Sequence, residues 1–237
     1  LRKSDWGGVA AERDRVLSEA EIRQLHALLP TAKMINKAEA AIWICLSTCC
    51  RIGELTAARW EHIDFEAGTW FLPETKNSRP HTIFLSAVAR SYFEDLQEYA
   101  AAVAKEKEQP LSPWVLPARH HEGSVCPKSL AKQIGDRQRP GMKPMLGRSP
   151  HVDALVLPGG KWTPHDLRRT GATMMASLGV RPDVIEHCLN HVEPNRVKRI
   201  YQRYSYEPEM QAAWRLLGER LELLATPAGN VVTLSAA

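Results

Sequence analysis

Residues 163–206 read TPHDLRRTGATMMASLGVRPDVIEHCLNHVEPNRVKRIYQRYSY, and the rest of the chain can be placed around them. Thr163-Pro164 supplies an N-cap and then a proline at the first helical position, where a missing N–H does no harm. Leu167, Gly171, Met174, Met175 and Leu178 recur at helical spacing up to Gly179, so this helix buries one face. His165 falls in its first turn, with Arg168 one turn on along the same face. A shorter helix is expected over 181–188, ending at Leu189-Asn190, because asparagine tolerates the left-handed backbone just past a helix end. His191 follows directly. Tyr201 lies ten residues beyond it, on a helix opened by Pro194. Helix N-termini attract anions through free amides and the helix dipole, and arginine grips an oxyanion with two parallel N–H bonds. The stretch thus sets donors for a phosphate beside a hydroxyl able to attack one. Each residue alone also has a plainer reading: a surface turn for His165 and Arg168, a structural histidine, a packing tyrosine.

Upstream, Ser18 and Glu21 form a capping box for a helix with Ile22, Leu25, Leu28 and Leu29 on one face, ending near Pro30. A helix over about 36–49 is apolar nearly all round and should be central. Arg51-Ile-Gly-Glu54 follows it. A charge beside a buried helix needs compensation. Either Arg51 pairs with Glu54 at i,i+3, or it points into a cleft and binds an anion. HIDF at 62–65, TWFLP at 69–73 and TIFLS at 82–86 read as three short antiparallel strands. Ala67-Gly68 makes the first turn, and 75–80 makes the second, which carries Lys76 and Arg79. A helix over 87–105 comes next, then a Pro- and Gly-rich region holding one helix at 127–137. Residues 138–162 exceed an ordinary connection and read as an insert on the binding side or a partly disordered loop. Past Tyr201, Glu207-Pro208 breaks the helix. A last helix over about 208–224 carries a heptad-like stripe of Met210, Trp214, Leu217, Leu221 and Leu224.

The chain has 237 residues, 44% of them hydrophobic and 24% charged, which is ordinary globular composition with enough length for a real core. No apolar run approaches the ~20 residues that span a bilayer, and the start LRKSDWGG has no signal-peptide core. The net charge of +4 decides little; its distribution says more. Lys132, Arg137, Arg139, Lys143 and Arg148 cluster over 132–148, and Arg196, Lys198, Arg199 and Arg203 over 196–203. Both clusters fit phosphate contacts, and both fit a solvated face. Five cysteines at 45, 49, 50, 126 and 188 show no metal-ligand spacing. They read as free thiols in a reducing cytosol.

RIGEL at 51–55, TKNSRPHTIFLS at 75–86, TPHDLRRTGAT at 163–173 and LNHVEPNRVKRIY at 189–201 together resemble the tyrosine recombinase family of phage and prophage integrases. They stand in that family's order and at its separations, and the resemblance covers about 17–206. The run at 191–197 is similar to the satellite-phage and genomic-island branch. The resemblance implies a mainly α fold with a small three-stranded antiparallel sheet. It implies Tyr201 as a nucleophile that forms a 3′-phosphotyrosine, Arg51 and Arg168 as clamps on the non-bridging oxygens, and Lys76 as general acid. His165 would move the tyrosine's proton, His191 would donate to a non-bridging oxygen, and Glu54 would orient the site. Arg79, Lys132, Arg137, Arg139, Lys198 and Arg199 are the expected DNA contacts. Neither a cofactor nor a metal is implied. Tyr204 and Tyr206 compete with Tyr201; the spacing from His191 favours Tyr201. Two features depart from the pattern: Asn190 stands where glycine is common, and 138–162 is long.

The expected organisation is a linker at 1–16 from a preceding DNA-binding region, a catalytic domain at 17–206, a C-terminal helix at 207–225, and a loose tail at 226–237. The C-terminal helix would dock on a neighbouring protomer. Implied partners are double-stranded DNA, three further copies in a tetramer on DNA (a monomer when isolated), and accessory DNA-bending or excision factors. Two alternatives remain at this stage. One is a type IB topoisomerase, which relaxes strands rather than exchanging them. The other is a DNA-binding regulator that does not cleave.

Overall fold

The computed structural model describes residues 14–119, 122–192 and 204–226. In chain order its elements are α1 (Glu19–Leu28), α2 (Asn36–Thr48), α3 (Ile52–Thr56), β1 (Ile63–Asp64), β2 (Thr69–Leu72), β3 (His81–Phe84), α4 (Ala87–Glu106), α5 (Pro127–Asp136), α6 (Pro164–Ser177), α7 (Pro182–Cys188) and α8 (Glu207–Ala225). Helices dominate, with one small antiparallel sheet in the order β1-β2-β3, as the sequence implies. Among the described residues no helix is long and apolar enough to cross a membrane.

α2 is the axis. From Ala40 to Cys50 every side chain is buried, and α3, α4, α6 and α8 all pack on it. An all-round apolar helix can be stable only when enclosed in this way. Cys45, Cys49, Cys50 and Cys188 are among its buried thiols and near neighbours, behaving as small hydrophobes. The sheet lies to one side. Trp70 pairs in register with Ile63 and Ile83, and all three face the core, where Trp70 meets Phe93 of α4 edge-on at 5.4 Å. At the first turn Gly68 takes a φ of 64° and the Asp64 carboxylate accepts from Ala67 N at 2.8 Å.

Three expectations change. The stripe on α8 is not left over for a neighbour: Met210, Ala213, Trp214, Leu217, Leu221 and Leu224 are buried within this chain. Trp214 Nε1 donates to Thr48 O at 3.0 Å, satisfying a carbonyl that the end of α2 leaves free. Residues 138–162 are not a loose insert. The Gln138 side chain donates to Trp162 O at 2.9 Å and accepts from Trp162 N at 2.8 Å, closing a loop whose base buries Leu155, Leu157 and Trp162. Most of the segment between these anchors faces solvent, and Leu146 is fully exposed. Finally, Arg15 lies in the expected linker yet is fixed. Its guanidinium pairs with Glu21 against Gly159, where a Cβ would lie 2.6 Å from it. The tail beyond Thr226 lies outside the described residues.

Candidate active site

Arg168 is the centre of the site. It is 5% exposed, and its guanidinium is held by backbone carbonyls. One guanidinium nitrogen donates to Cys49 O, and the other donates to Leu189 O at 2.6 Å. These carbonyls end α2 and α7, where free C=O groups carry partial negative charge. Two helix C-termini therefore hold the guanidinium in place without cancelling its charge. Burial, and next the nearby charge of Arg51, push its pKa down, but arginine stays protonated. Such a cation, with N–H bonds beyond those given to carbonyls, is a ready anion clamp.

Close packing brings α6 to this position. At Gly171, one turn after Arg168, a Cβ would sit 2.5 Å from Cys49 Sγ and 2.6 Å from Leu46 O. Only glycine lets α6 lie this close to the end of α2. The N-terminus of α6 is fixed by Asp166, 1% exposed, which accepts from Thr163 N at 2.8 Å, from the Thr163 hydroxyl at 2.7 Å and from Arg169 at 2.8 Å.

Arg51 precedes α3. Its guanidinium donates to Glu54 Oε1 at 2.7 Å and its amide to Glu54 Oε2 at 2.7 Å. Of the two readings open from sequence, the ion pair is present. It does not exclude the other, because the Arg51 side chain keeps 22% of its surface exposed against 8% for Glu54. Glu54 thereby orients Arg51 toward the same region as Arg168, whose ionisation feels both groups.

The histidines differ. His165 is exposed in the first turn of α6. Partial desolvation of its ring, then the charges of Arg169 and Arg168, lower its pKa below the usual 6.5. It is neutral at pH 7 and able to accept a proton. His191 lies past the end of α7. Its Nδ1 is 2.7 Å from Glu186 Oε2, and its Nε2 is 3.4 Å from an Arg168 nitrogen. With Glu186 accepting from Nδ1–H, Nε2 faces the space in front of Arg168.

Lys76 is exposed on the β2–β3 turn. That turn is tied to the His191 segment: Asn77 Nδ2 donates to Asn190 O at 2.6 Å, and Asn190 Nδ2 donates to Thr75 Oγ1 at 3.1 Å. Arg51, His165, Arg168 and His191 thus converge, with Lys76 on an adjoining turn. Sequence reasoning missed Glu186, Asn77 and His81. Glu186 lies on α7 five residues before His191, which stands beyond the helix end, so no helical i,i+3 or i,i+4 spacing flags the pair. His81 is a half-buried residue whose Nε2 lies 3.1 Å from Cys188 O; nothing local announces it.

Tyr201, together with Arg196, Lys198, Arg199 and Arg203, lies outside the described residues. Of its two competitors, Tyr206 is 8% exposed and stacks on His187 at 4.4 Å between ring centres, a packing role. Tyr204 is 56% exposed. Among the expected DNA contacts, Arg79 and Lys132 are exposed and Arg139 is partly so. Arg137 is a correction. It is 6% exposed, and its guanidinium donates to the carbonyls of Ala32, Lys33 and Gln133; it joins α5 to the connection before α2. Among the described residues no group of three or more His, Cys, Asp or Glu side chains is placed to hold a metal ion.

The chain is 28% identical to prophage integrase IntA of Escherichia coli K12 over 188 residues, covering 78% of this chain and 39% of IntA. It is 36% identical to the shufflon-specific DNA recombinase of Escherichia coli over 86 residues, covering 36% of this chain and 22% of that one. The chain therefore spans well under half the length of these relatives. The fold is shared with the integrase of mycobacterium phage Brujita (TM-score 0.60, 15% identity, 93% of this chain and 66% of that one). It is also shared with XerA recombinase (TM-score 0.60, 15% identity, 86% and 65%). Residues 15–207 match the model of the phage integrase family, and the chain belongs to that family.

Proposed function

We propose that the chain is the catalytic domain of a site-specific recombinase that cuts and rejoins double-stranded DNA through a 3′-phosphotyrosine. The observation that carries this reading is the buried Arg168 guanidinium, held by carbonyls at two helix ends and flanked by Arg51, His165 and His191. Phosphoryl transfer depends on positioning and on charge placed where the transition state develops it. Arg51 and Arg168 would grip the two non-bridging oxygens. His191, braced by Glu186, would donate to a non-bridging oxygen. Neutral His165 would take the proton from the Tyr201 hydroxyl as it attacks phosphorus. Lys76 would give a proton to the departing 5′ oxygen. The tyrosyl ester keeps the bond energy of the broken phosphodiester, so the 5′ hydroxyl can reverse the step without a nucleotide cofactor.

Related solved proteins include XerH bound to its difH substrate before cleavage and Tn1549 integrase with circular-intermediate DNA, which supports duplex DNA as the partner here. Arg79, Lys132 and Arg139 are proposed backbone contacts, joined by Lys198 and Arg199. On DNA four copies would act together to integrate or excise a mobile element in the cytoplasm. The test uses a duplex spanning the element's end and nicked just 3′ of the scissile phosphate, so that the short 5′-hydroxyl strand diffuses away. Wild type should accumulate a covalent protein–DNA adduct, and Arg168→Ala should not. Absence of adduct with wild type, or undiminished adduct with Arg168→Ala, contradicts the proposal.

A further inference from the structure

Asn190 is a residue the proposed chemistry does not use. Its backbone is left-handed, with a φ of 48°, a conformation in which glycine would be more comfortable. Tolerance alone explains why asparagine can stand there, but not what its side chain does. Its amide reaches across to the β2–β3 turn and donates to Thr75 Oγ1 at 3.1 Å. The Thr75 hydroxyl in turn donates to Arg79 O at 2.8 Å, and Ser78 N donates to Thr75 O at 2.9 Å. Thr75 is therefore the staple that closes the loop containing Lys76. From the other side, Asn77 Nδ2 donates to Asn190 O at 2.6 Å. The pair is reciprocal: each asparagine amide bonds the other's segment. One strand pair further in, His81 Nε2 lies 3.1 Å from Cys188 O. The turn is thus joined to the end of α7 at three points, and the residues either side of the junction are Lys76 and His191.

We infer that Asn190 and Asn77 form a latch that docks the Lys76 turn onto the His191 segment, making both asparagines positioning residues for proton delivery to the leaving oxygen. The inference rests on the reading of Lys76 as general acid. Its logic is that an exposed lysine on a hairpin turn samples many positions, whereas a general acid must lie within hydrogen-bond reach of the oxygen it protonates. The latch bonds link the turn to the same segment whose Leu189 carbonyl holds Arg168. Anion clamp and proton donor are thereby referenced to one piece of backbone. The strained residue is the part that makes this possible: left-handed Asn190 turns its carbonyl and its amide toward the hairpin together.

Asn190→Gly is the clean test, because glycine accepts the same backbone angles and only the amide is lost. Two readouts apply, one independent of activity. The first is nicking of the DNA-free protein by trypsin at the Lys76–Asn77 bond. Opening one latch bond of ordinary strength should speed nicking about 5-fold, and Asn77→Ala with Asn190→Gly about 30-fold, with the far-UV spectrum unchanged. The second is cleavage of two substrates, one with the natural 5′ oxygen and one with a 5′ bridging sulfur, which leaves without protonation. Asn190→Gly and Asn77→Ala should slow cleavage of the oxygen substrate about 10-fold or more and leave the sulfur substrate near wild type. Lys76→Ala should show the same selectivity more strongly. Nicking unchanged in both variants, or equal slowing on both substrates, overturns the latch. If Lys76→Ala also slows both substrates equally, the general-acid reading itself fails. If wild type cleaves neither, the proposed function fails.

Discussion

Gly171→Ala puts the geometry of the site to a direct test. A methyl at this position would lie 2.5 Å from Cys49 Sγ and 2.6 Å from Leu46 O. Ordinary contact needs about 3.5 Å, so α6 must withdraw from α2 by close to 1 Å. Leu46 O is helix backbone and Cys49 is fully buried, so neither yields. Overpacking of this kind costs about 1–3 kcal/mol. Alanine returns up to ~1 kcal/mol through its better helix propensity. With that full return the net loss is up to about 2 kcal/mol, or a fall in Tm of up to about 8 °C for a domain this size. Activity should suffer more than stability. Arg168 lies one turn from Gly171, and its bonds to Cys49 O and Leu189 O are short; a 1 Å shift takes them toward the limit of hydrogen bonding. Misplacement on that scale costs about 100-fold in rate. Thermal unfolding and single-turnover adduct formation on a nicked substrate measure both. A variant as stable and as fast as wild type would show that α6 is not set by this contact.

Three further predictions follow from named contacts. Burial favours a raised pKa at Glu21, but bonds from Arg15, Ser18 N and Gly159 N outweigh it and hold the carboxyl at about 2 against an ordinary 4.5. A lowered carboxyl pKa stabilises the fold above pH 4.5, and that stability is lost as pH falls toward 2. The difference corresponds to roughly 3 kcal/mol, so urea titrations should show this acid-dependent loss in wild type and lack it in Glu21→Gln; equal pH slopes would contradict it. Arg137→Ala should cost about 2–4 kcal/mol by stranding three carbonyls, whereas Lys132→Ala should leave stability within ~0.5 kcal/mol and lower the salt dependence of DNA binding by about one charge. The reverse pattern, measured by urea midpoints and salt titration, would refute the assignment of each. For His165, protonation removes the base. Because its pKa is depressed by partial desolvation and by Arg169 and Arg168, the rate of adduct formation should hold as pH drops to 6.5 and fall only below it. An acid limb centred above 6.5 that disappears in His165→Gln would refute this.

What was legible in the sequence was what local chemistry decides. The Ser18–Glu21 box forms as its spacing implies, with Ser18 N donating to Glu21 at 2.9 Å. The three strands, the cap at Thr163 and the left-handed Asn190 follow equally from residues close in sequence. The order of the four motifs carried the family. What stayed hidden depends on partners far along the chain. A letter R at 137 does not reveal that its guanidinium meets carbonyls about a hundred residues earlier, while Lys132, on the helix that Arg137 caps, is exposed. The stripe on α8 looked surplus because the need it fills, the open carbonyl end of α2, exists only once α2 is folded. The same holds for the loop at 138–162, whose closure rests on one glutamine amide matched to Trp162. In the site, Glu54 was readable from i,i+3 spacing, but the carbonyl seat of Arg168 was not.

The central claim is that one tyrosine, Tyr201, takes the DNA phosphate. Trypsin can decide it, because cleavage after Arg199 and Arg203 isolates residues 200–203, which hold Tyr201, from 204–215, which hold Tyr204 and Tyr206. Adduct trapped on a nicked substrate, digested with trypsin and nuclease, should leave nucleotide mass on the 200–203 peptide and none on 204–215. Nucleotide on 204–215, or adduct that persists in Tyr201→Phe, would contradict the account.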